Sequence, residues 1–273
     1  MSTRKLACII GWPVAESLSP AIHNAAFASV GLDWTYVPLA VRPGAIDEGM
    51  KLVRQLGIEG ANVTMPHKRT VVPLLDRLEG DAAALDAVNT IVRDGGAFVG
   101  HNTDGAGFLA AVAEEASFSP VGKTAVVLGA GGAARAVALA LARAGASVRV
   151  SARRPEQAAE VAAIAPGIDI ASWGESGPAD LVVNATPSRE GLPLAALGFR
   201  PGTLAFDLVY LPPMTEFVRF ARDAGATALG GLGMLVHQAA LSFRLWTGID
   251  PPIQVMAGAA RVALSSGEGS DPT

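Results

Sequence analysis

Cysteine is almost missing from this sequence. Cys8 is the only one in 273 residues, so no disulfide can form within the chain, and a reducing compartment suits it. Histidine is nearly as scarce: among the four histidines and Cys8 no two stand at metal-ligand spacing, which argues against a zinc site. There is no basic surplus. Lys plus Arg number 21 against 25 for Asp plus Glu, a formal net charge of −4 that argues against a nucleic-acid partner. A long apolar run is also lacking. The most apolar stretch, residues 124–150, contains Arg135, Arg143 and several glycines, whereas a membrane helix needs about 20 mostly apolar residues. Arg4 and Lys5 precede an apolar run that stops at Gly11-Trp12-Pro13, too short for a signal-peptide core. Half of the residues are hydrophobic and 17% are charged, which excludes a disordered chain. These absences predict a soluble cytoplasmic protein of one large domain or two ordinary ones.

What is present alternates between strand and helix. Leu6 to Gly11 reads as a buried strand. Ser19-Pro20 opens a helix, with Ser19 as N-cap, that ends at Gly31. Trp34 to Ala40 and Gly60 to Thr64 are further strands, and Ile46 to Leu56 has helical spacing. Residues 70–86 read as helical, and Thr90 to Arg93 with Ala97 to Gly100 as a hairpin around Asp94-Gly95-Gly96. A second α/β alternation begins after Asn102-Thr103-Asp104-Gly105: a helix over 106–116, then strands at Thr124 to Gly129, Val148 to Ser151, Leu181 to Asn184, Leu204 to Leu208 and Ala226 to Leu229. Helices over 233–247 and 253–264 follow, and the tail from Ser265 is expected to fray.

Gly129, Gly131 and Ala134 fill a G-x-G-x-x-A pattern between a strand and a helix. The first glycine permits a tight turn, the second lets backbone approach a pyrophosphate, and the alanine lets helix pack on strand. The helix N-terminus adds free N–H groups and the positive dipole end. An NAD enzyme usually carries an acid at the end of the next strand. Here Ser151 is followed by Ala152-Arg153-Arg154, and paired guanidiniums suit a 2′-phosphate dianion, so NADP is expected despite the nearby Glu156.

Four polar clusters stand in apolar surroundings: Ser17 and Ser19 before a helix, Asn62-Val63-Thr64 leading to His67-Lys68, Asn89-Thr90, and Asn102 to Gly105. The hydroxyls at a helix start suit a carboxylate. An ammonium such as Lys68, oriented by a carboxylate such as Asp104, can deliver a proton to a ketone oxygen that is accepting hydride, typically a gain of roughly 10²–10⁴-fold in rate. Read from the residues alone, the same two side chains could equally form a structural ion pair.

The motifs SLSPAIHNAAF, GANVTMPHK, AVNT, NTDG, GAGGAAR and GLGMLVHQAA, in this order from Ile9 to Trp246, resemble those of shikimate dehydrogenases. The resemblance implies NADP-dependent, reversible reduction of 3-dehydroshikimate to shikimate, a step toward aromatic amino acids. It implies an α/β fold: a Rossmann-type NADP domain, here 104–237, and an α/β substrate domain built from both chain ends, 1–103 and 238–273. A cleft between them would open and close around ligand. Carried over residue by residue, Lys68 matches the catalytic lysine and Asp104 its partner. Ser17 and Ser19 match the carboxylate-binding serines, and Thr64, Asn89 and Gln238 the residues around the ring hydroxyls. Tyr210 matches a tyrosine of the substrate site. Gly129, Ala130, Gly131, Gly132 and Ala133, the segment Ser151, Arg153, Arg154, and Leu208 and Gly231 match cofactor positions.

Some positions depart from the usual family pattern. Glu16 stands where His is commoner, His101 where Asp is frequent, Ser151-Ala152-Arg153 where Asn-Arg-Thr is usual, and Ser188-Arg189-Glu190 is atypical of its loop. His23 and Asn24 read as packing or capping residues, His67 as a loop residue able to tune Lys68, His237 as turned away from Gln238, and Cys8 as an inert core thiol. Two rivals fit the same resemblance: a quinate/shikimate dehydrogenase using NAD or both cofactors, and a non-catalytic ligand sensor, against which Lys68 and Asp104 argue. A small-molecule substrate is the expected partner, with no nucleic acid or membrane, in a monomer or homodimer.

Overall fold

The computed structural model describes residues 4–174, 177–188 and 190–267; the tail from 268 and Arg189 lie outside them. The chain divides into two compact units, Met1–Thr103 with Leu235–Thr273, and Asp104–Met234. The second crossing falls three residues before position 238. No helix among the described residues is long and apolar enough to cross a membrane.

The first unit runs β1 (Lys5–Gly11), α1 (Ser19–Ser29), β2 (Trp34–Ala40), α2 (Ile46–Gln55), β3 (Gly60–Val63), β4 (Arg77–Leu78), α3 (Asp81–Leu85), β5 (Thr90–Asp94) and β6 (Ala97–His101). Its sheet has the order β2-β1-β3-β5-β6-β4. β1 pairs in parallel with β2 and β3, while β5 is antiparallel to β3 and β6. The hairpin between β5 and β6 turns on Gly95 and Gly96, both at positive φ. The stretch 70–86, expected to be helical, is instead a single 3-10 turn at Val72–Leu74, then β4, then α3. Pro73 sits inside the apparent helix and Gly80 breaks it at φ 58, and between them β4 pairs with β6. Non-local pairing overrides the local apolar spacing there.

The second unit runs α4 (Asp104–Ala116), β7 (Thr124–Leu128), α5 (Gly132–Arg143), β8 (Ser147–Ser151), α6 (Pro155–Ala162), β9 (Ile168–Ala171), β10 (Leu181–Asn184), β11 (Leu204–Asp207), α7 (Glu216–Asp223) and β12 (Thr227–Leu229). Its six strands lie in the order β12-β11-β10-β7-β8-β9, all parallel. In sequence rank this is the 3-2-1-4-5-6 order of a dinucleotide-binding sheet, with the reversal between β7 and β10. β9 was not foreseen: it is an edge strand of which only Ile168 is buried. Both faces of β7 are covered. Ala125 and Val127 join the core with Phe108, Val137 and Phe206, whereas Val126 and Leu128 join Phe217 and Val218 on the other side.

Two helices complete the chain, α8 (Leu232–Thr247) and α9 (Ile253–Gly267). α9 packs on α1 in the first unit. The helix continues past Ser265, where fraying was expected, and the hydroxyls of Ser265 and Ser266 bond back to carbonyls in it.

Phe206 is fully buried in β11 and meets Phe108 edge-on, with centroids 5.1 Å apart. Phe206→Ala should destabilise the protein by about 3–5 kcal/mol. Urea unfolding followed by circular dichroism would show the midpoint fall; an unchanged midpoint would mean that this core does not limit stability.

Candidate active site

In the first unit the polar residues gather around the end of β3. The N–H of Thr64 continues the ladder to the carbonyl of Ile10 at 2.8 Å. The Thr64 methyl lies where a Cβ on Gly11 would be, so this approach needs glycine at 11. The loop that follows is pinned by His67, which is buried and places Nε2 2.7 Å from the carbonyl of Val41. A carbonyl can only accept, so Nε2 carries the proton. His67 is therefore a structural pin, and the next residue, Lys68, is left half-buried. The Lys68 carbonyl accepts from the N–H of Val88 at 2.7 Å, which ties the lysine loop to the segment carrying Asn89.

Asn89 is the hub of this region. Its Nδ2 donates to Thr103 Oγ1 at 2.8 Å and to Gln238 Oε1 at 3.3 Å. Its Oδ1 accepts from the N–H of Thr103 at 2.8 Å and from Thr90 Oγ1 at 3.0 Å. The Thr103 hydroxyl in turn donates to the carbonyl of Gln238 at 3.1 Å. Asp104 follows directly as the first residue of α4 and is itself buried.

A second branch joins through Asn62. Its Nδ2 faces the carbonyl of Asn89 at 3.2 Å, Thr90 Oγ1 at 3.2 Å and Ser242 Oγ at 3.0 Å. Its Oδ1 accepts from the Tyr36 hydroxyl at 2.7 Å, and the Ser19 side chain lies near that hydroxyl. Burial holds the Tyr36 phenol well above its ordinary pKa, so it stays a neutral donor. Ser17 Oγ accepts from the N–H of Ser19 at 3.3 Å. Thus Tyr36, Asn62, Asn89 and Gln238 lie along one connected set of bonds, and Ser17 and Ser19 form a local pair. Thr64 and Lys68 are tied to the same strands through backbone.

Ser19 was expected as the N-cap of α1. It is instead the first helical residue, Leu18 is the cap, and no side chain caps the helix. Tyr36 and Ser242 were not anticipated. Ser242 stands four residues after Gln238 on α8, on the same helix face, and that spacing was a usable signal.

In the second unit Gly129 has φ +110, and a Cβ there would meet the carbonyl of Ala185 at 3.0 Å. A Cβ on Gly131 would meet nothing within 4 Å. Gly131 caps α5 without a side-chain bond, so no side-chain oxygen covers the first N–H groups of this helix. A Cβ on Gly231 would lie 2.2 Å from the carbonyl oxygen of Leu208, so these two candidate residues touch through backbone. Arg153 and Arg154 are exposed just before α6. Tyr210 is half-buried. Ser151 faces inward: fully buried, it donates to the carbonyl of Ser172 at 2.8 Å and accepts from the N–H of Gly174 at 3.3 Å, while its carbonyl holds the N–H of Gly129 at 2.8 Å. Its hydroxyl is thus committed within the unit. An open glycine turn at an uncapped helix start, followed by two exposed guanidiniums and no acid, fits a dinucleotide bearing a 2′-phosphate.

A sheet of this order with this turn defines the class of dinucleotide-binding α/β proteins, and the other unit carries the amide-and-hydroxyl cluster. Residues 9–91 match the shikimate dehydrogenase substrate binding domain, and residues 231–261 match the shikimate 5'-dehydrogenase C-terminal domain. The chain is 44% identical to the NADP(+) shikimate dehydrogenase of Moorella thermoacetica, over 97% of this chain and 95% of that one. It superposes with TM-score 0.88 and 38% identity on the shikimate 5-dehydrogenase of Thermus thermophilus in complex with NADP(H) and shikimate, covering 95% of this chain and all of that one (100%). A quinate dehydrogenase of Corynebacterium glutamicum in complex with NAD matches with TM-score 0.85 and 31% identity over 94% of this chain and 99% of that one. The chain belongs to the shikimate dehydrogenase family.

His23 lies beneath the polar cluster, fully buried, stacked on Tyr36 at 4.5 Å and tilted against Trp246 at 4.9 Å. Neither ring nitrogen has a partner at hydrogen-bonding geometry. Burial lowers its pKa to about 3, and neighbouring Asn62 offsets only part of that shift. The unfolded chain therefore binds more protons than the folded one between about pH 6.5 and 3, and stability falls as pH falls through that window. His23→Phe keeps the stack and removes the titration. Its unfolding free energy should decline less between pH 6.5 and 4 than that of the parent, and parallel declines in urea titrations would refute the assignment.

Proposed function

We infer that this chain catalyses the reversible NADPH-dependent reduction of 3-dehydroshikimate to shikimate. One observation carries the reading: Asn89 of the N-terminal sheet and Gln238 of the C-terminal helix share a hydrogen bond at 3.3 Å. Both chain ends thus contribute to one amide-and-hydroxyl cluster of the kind a polyhydroxylated ring needs. The names of the relatives, NADP(+) shikimate dehydrogenases at similar length, support the same substrate and cofactor.

In this reading the first unit binds substrate. Ser17 and Ser19 take its carboxylate, Thr64, Asn89 and Gln238 its ring oxygens, and Tyr210 of the second unit joins the substrate site. The second unit holds NADPH: the turn Gly129 to Ala133 takes the pyrophosphate, Arg153 and Arg154 the 2′-phosphate, and Leu208 and Gly231 the far end, with Ser151 holding Gly129 from behind. NADPH, when bound, supplies the hydride. The Lys68–Asp104 couple delivers the proton to the carbonyl oxygen as it becomes a hydroxyl. Such a biosynthetic reduction suits a cytoplasmic monomer or homodimer.

The direct test is NADP- and NAD-linked oxidation of shikimate and of quinate by the purified chain. Shikimate with NADP should be the fastest combination, and faster quinate oxidation with NAD would overturn the reading. Lys68→Ala should lower turnover by about 10²–10⁴-fold while shikimate still binds; near-normal turnover would end the assignment. Replacing Arg153 and Arg154 by Ala should raise KM for NADPH far more than for NADH, and equal effects would remove these arginines from the cofactor site.

A further inference from the structure

The second unit contains a carboxylate that the proposed chemistry does not use. Asp207, the last residue of β11, is fully buried. Its Oδ1 accepts from Asn184 Nδ2 at 2.9 Å and from the N–H of Val209 at 3.0 Å, and its Oδ2 accepts from Thr215 Oγ1 at 2.5 Å. All three donors are neutral. Burial raises the Asp207 pKa and these bonds oppose the rise. A buried carboxylate met only by neutral donors is an expensive way to fill space that an apolar side chain could occupy. Its value lies in what it holds.

It holds three segments. Asn184, also fully buried, ends β10 and uses its Oδ1 to accept from the N–H and hydroxyl of Thr186 at 3.1 and 2.7 Å. The intervening Ala185 is the residue whose carbonyl lies against Gly129. The bond to Val209 shapes the segment that runs from Leu208 to Tyr210, and the Val209 carbonyl accepts from the N–H of Gly231 at 3.2 Å. Thr215 is the N-cap of α7 and bonds the N–H of Val218 at 3.2 Å. The carboxylate therefore fixes the loops after β10 and β11 to each other and, through Ala185, to the glycine turn.

These loops leave the carboxyl ends of strands on one side of the strand-order reversal. The arginine-bearing loop after β8 leaves on the other. A dinucleotide laid across that reversal, with its pyrophosphate at the turn and its 2′-phosphate toward Arg153 and Arg154, has its nicotinamide half toward β10 and β11. We propose that Asp207, together with Asn184, is a positioning residue for the nicotinamide half of the dinucleotide, acting through the backbone of Leu208, Val209 and Gly231. The proposal rests on the reading of the second unit as the NADPH-binding unit.

The experiment compares two ligands by titration calorimetry: NADPH, and adenosine 2′,5′-bisphosphate, which lacks the nicotinamide half. Asp207→Asn should weaken NADPH about tenfold or more and leave the bisphosphate within about twofold of the parent. Should Asp207→Asn fail to fold, Thr215→Val removes one of the same bonds and should weaken NADPH in the same sense, with rescue by Thr215→Ser. A lower melting temperature with both affinities unchanged overturns the proposal, and so does equal weakening of both ligands, which would mean general damage. If the parent chain binds neither ligand, the cofactor reading itself fails and takes the proposal with it.

Discussion

The amide of Asn62 ties β2, β5 and α8 together inside the first unit. A buried primary amide needs acceptors for its hydrogens and a donor for its oxygen. It finds them on β5 and α8 and in Tyr36 of β2, and one partner, Ser242, is 180 positions away in sequence. Sliding or rotating α8 would leave several buried polar atoms unmet at once, each at a cost of about 1–3 kcal/mol. The register of α8 on the sheet is thereby fixed, and with it the place of Gln238. The Gln238 amide is held further by its bonds to the carbonyl of Leu235 and to Asn89. A site residue near the C-terminus is positioned by a network that begins in the N-terminal third of the chain.

The second unit solves its positioning problem with backbone and small residues. Gly129 fits because Ala185 leaves no space for a side chain, and Gly231 because Leu208 leaves none. The ladder supports both: the N–H of Ala185 bonds the carbonyl of Leu128, and the N–H of Leu208 bonds the carbonyl of Asn184. Loops after neighbouring strands are therefore extensions of the parallel sheet and share its rigidity. Catalytic precision commonly depends on such support, since loops alone are mobile.

Much of this was legible in sequence where the signal is local. The apolar runs Ala125 to Leu128 and Leu181 to Val183 could only be covered strands, and Trp34–Ala40 was read to the residue. The stretch 70–86 was misread because Val71, Val72, Leu74, Leu75 and Leu78 have a helix-like spacing whose partner, β6, lies twenty residues on. β9 was missed because an edge strand shows little apolar alternation. Among site residues, the glycine turn carries its own steric reason and was readable from the residues. Asn89 stood out in a polar cluster, but its role and Gln238 itself came from resemblance, because nothing local reveals that two amides 149 positions apart will meet. Tyr36 and the inward turn of Ser151 depend on tertiary contacts that no sequence spacing encodes, whereas Ser242 shares a helix face with Gln238.

Charge is distributed unevenly between the two polar regions, and the chemistry explains why. The cluster around Asn62 and Asn89 is built from amides, hydroxyls and backbone, and its nearest histidine is held neutral by burial. Neutral donors and acceptors can match ring hydroxyls without the desolvation that buried charges require. The guanidiniums of the second unit stand exposed instead, where a phosphate dianion can be met with both partners still partly hydrated.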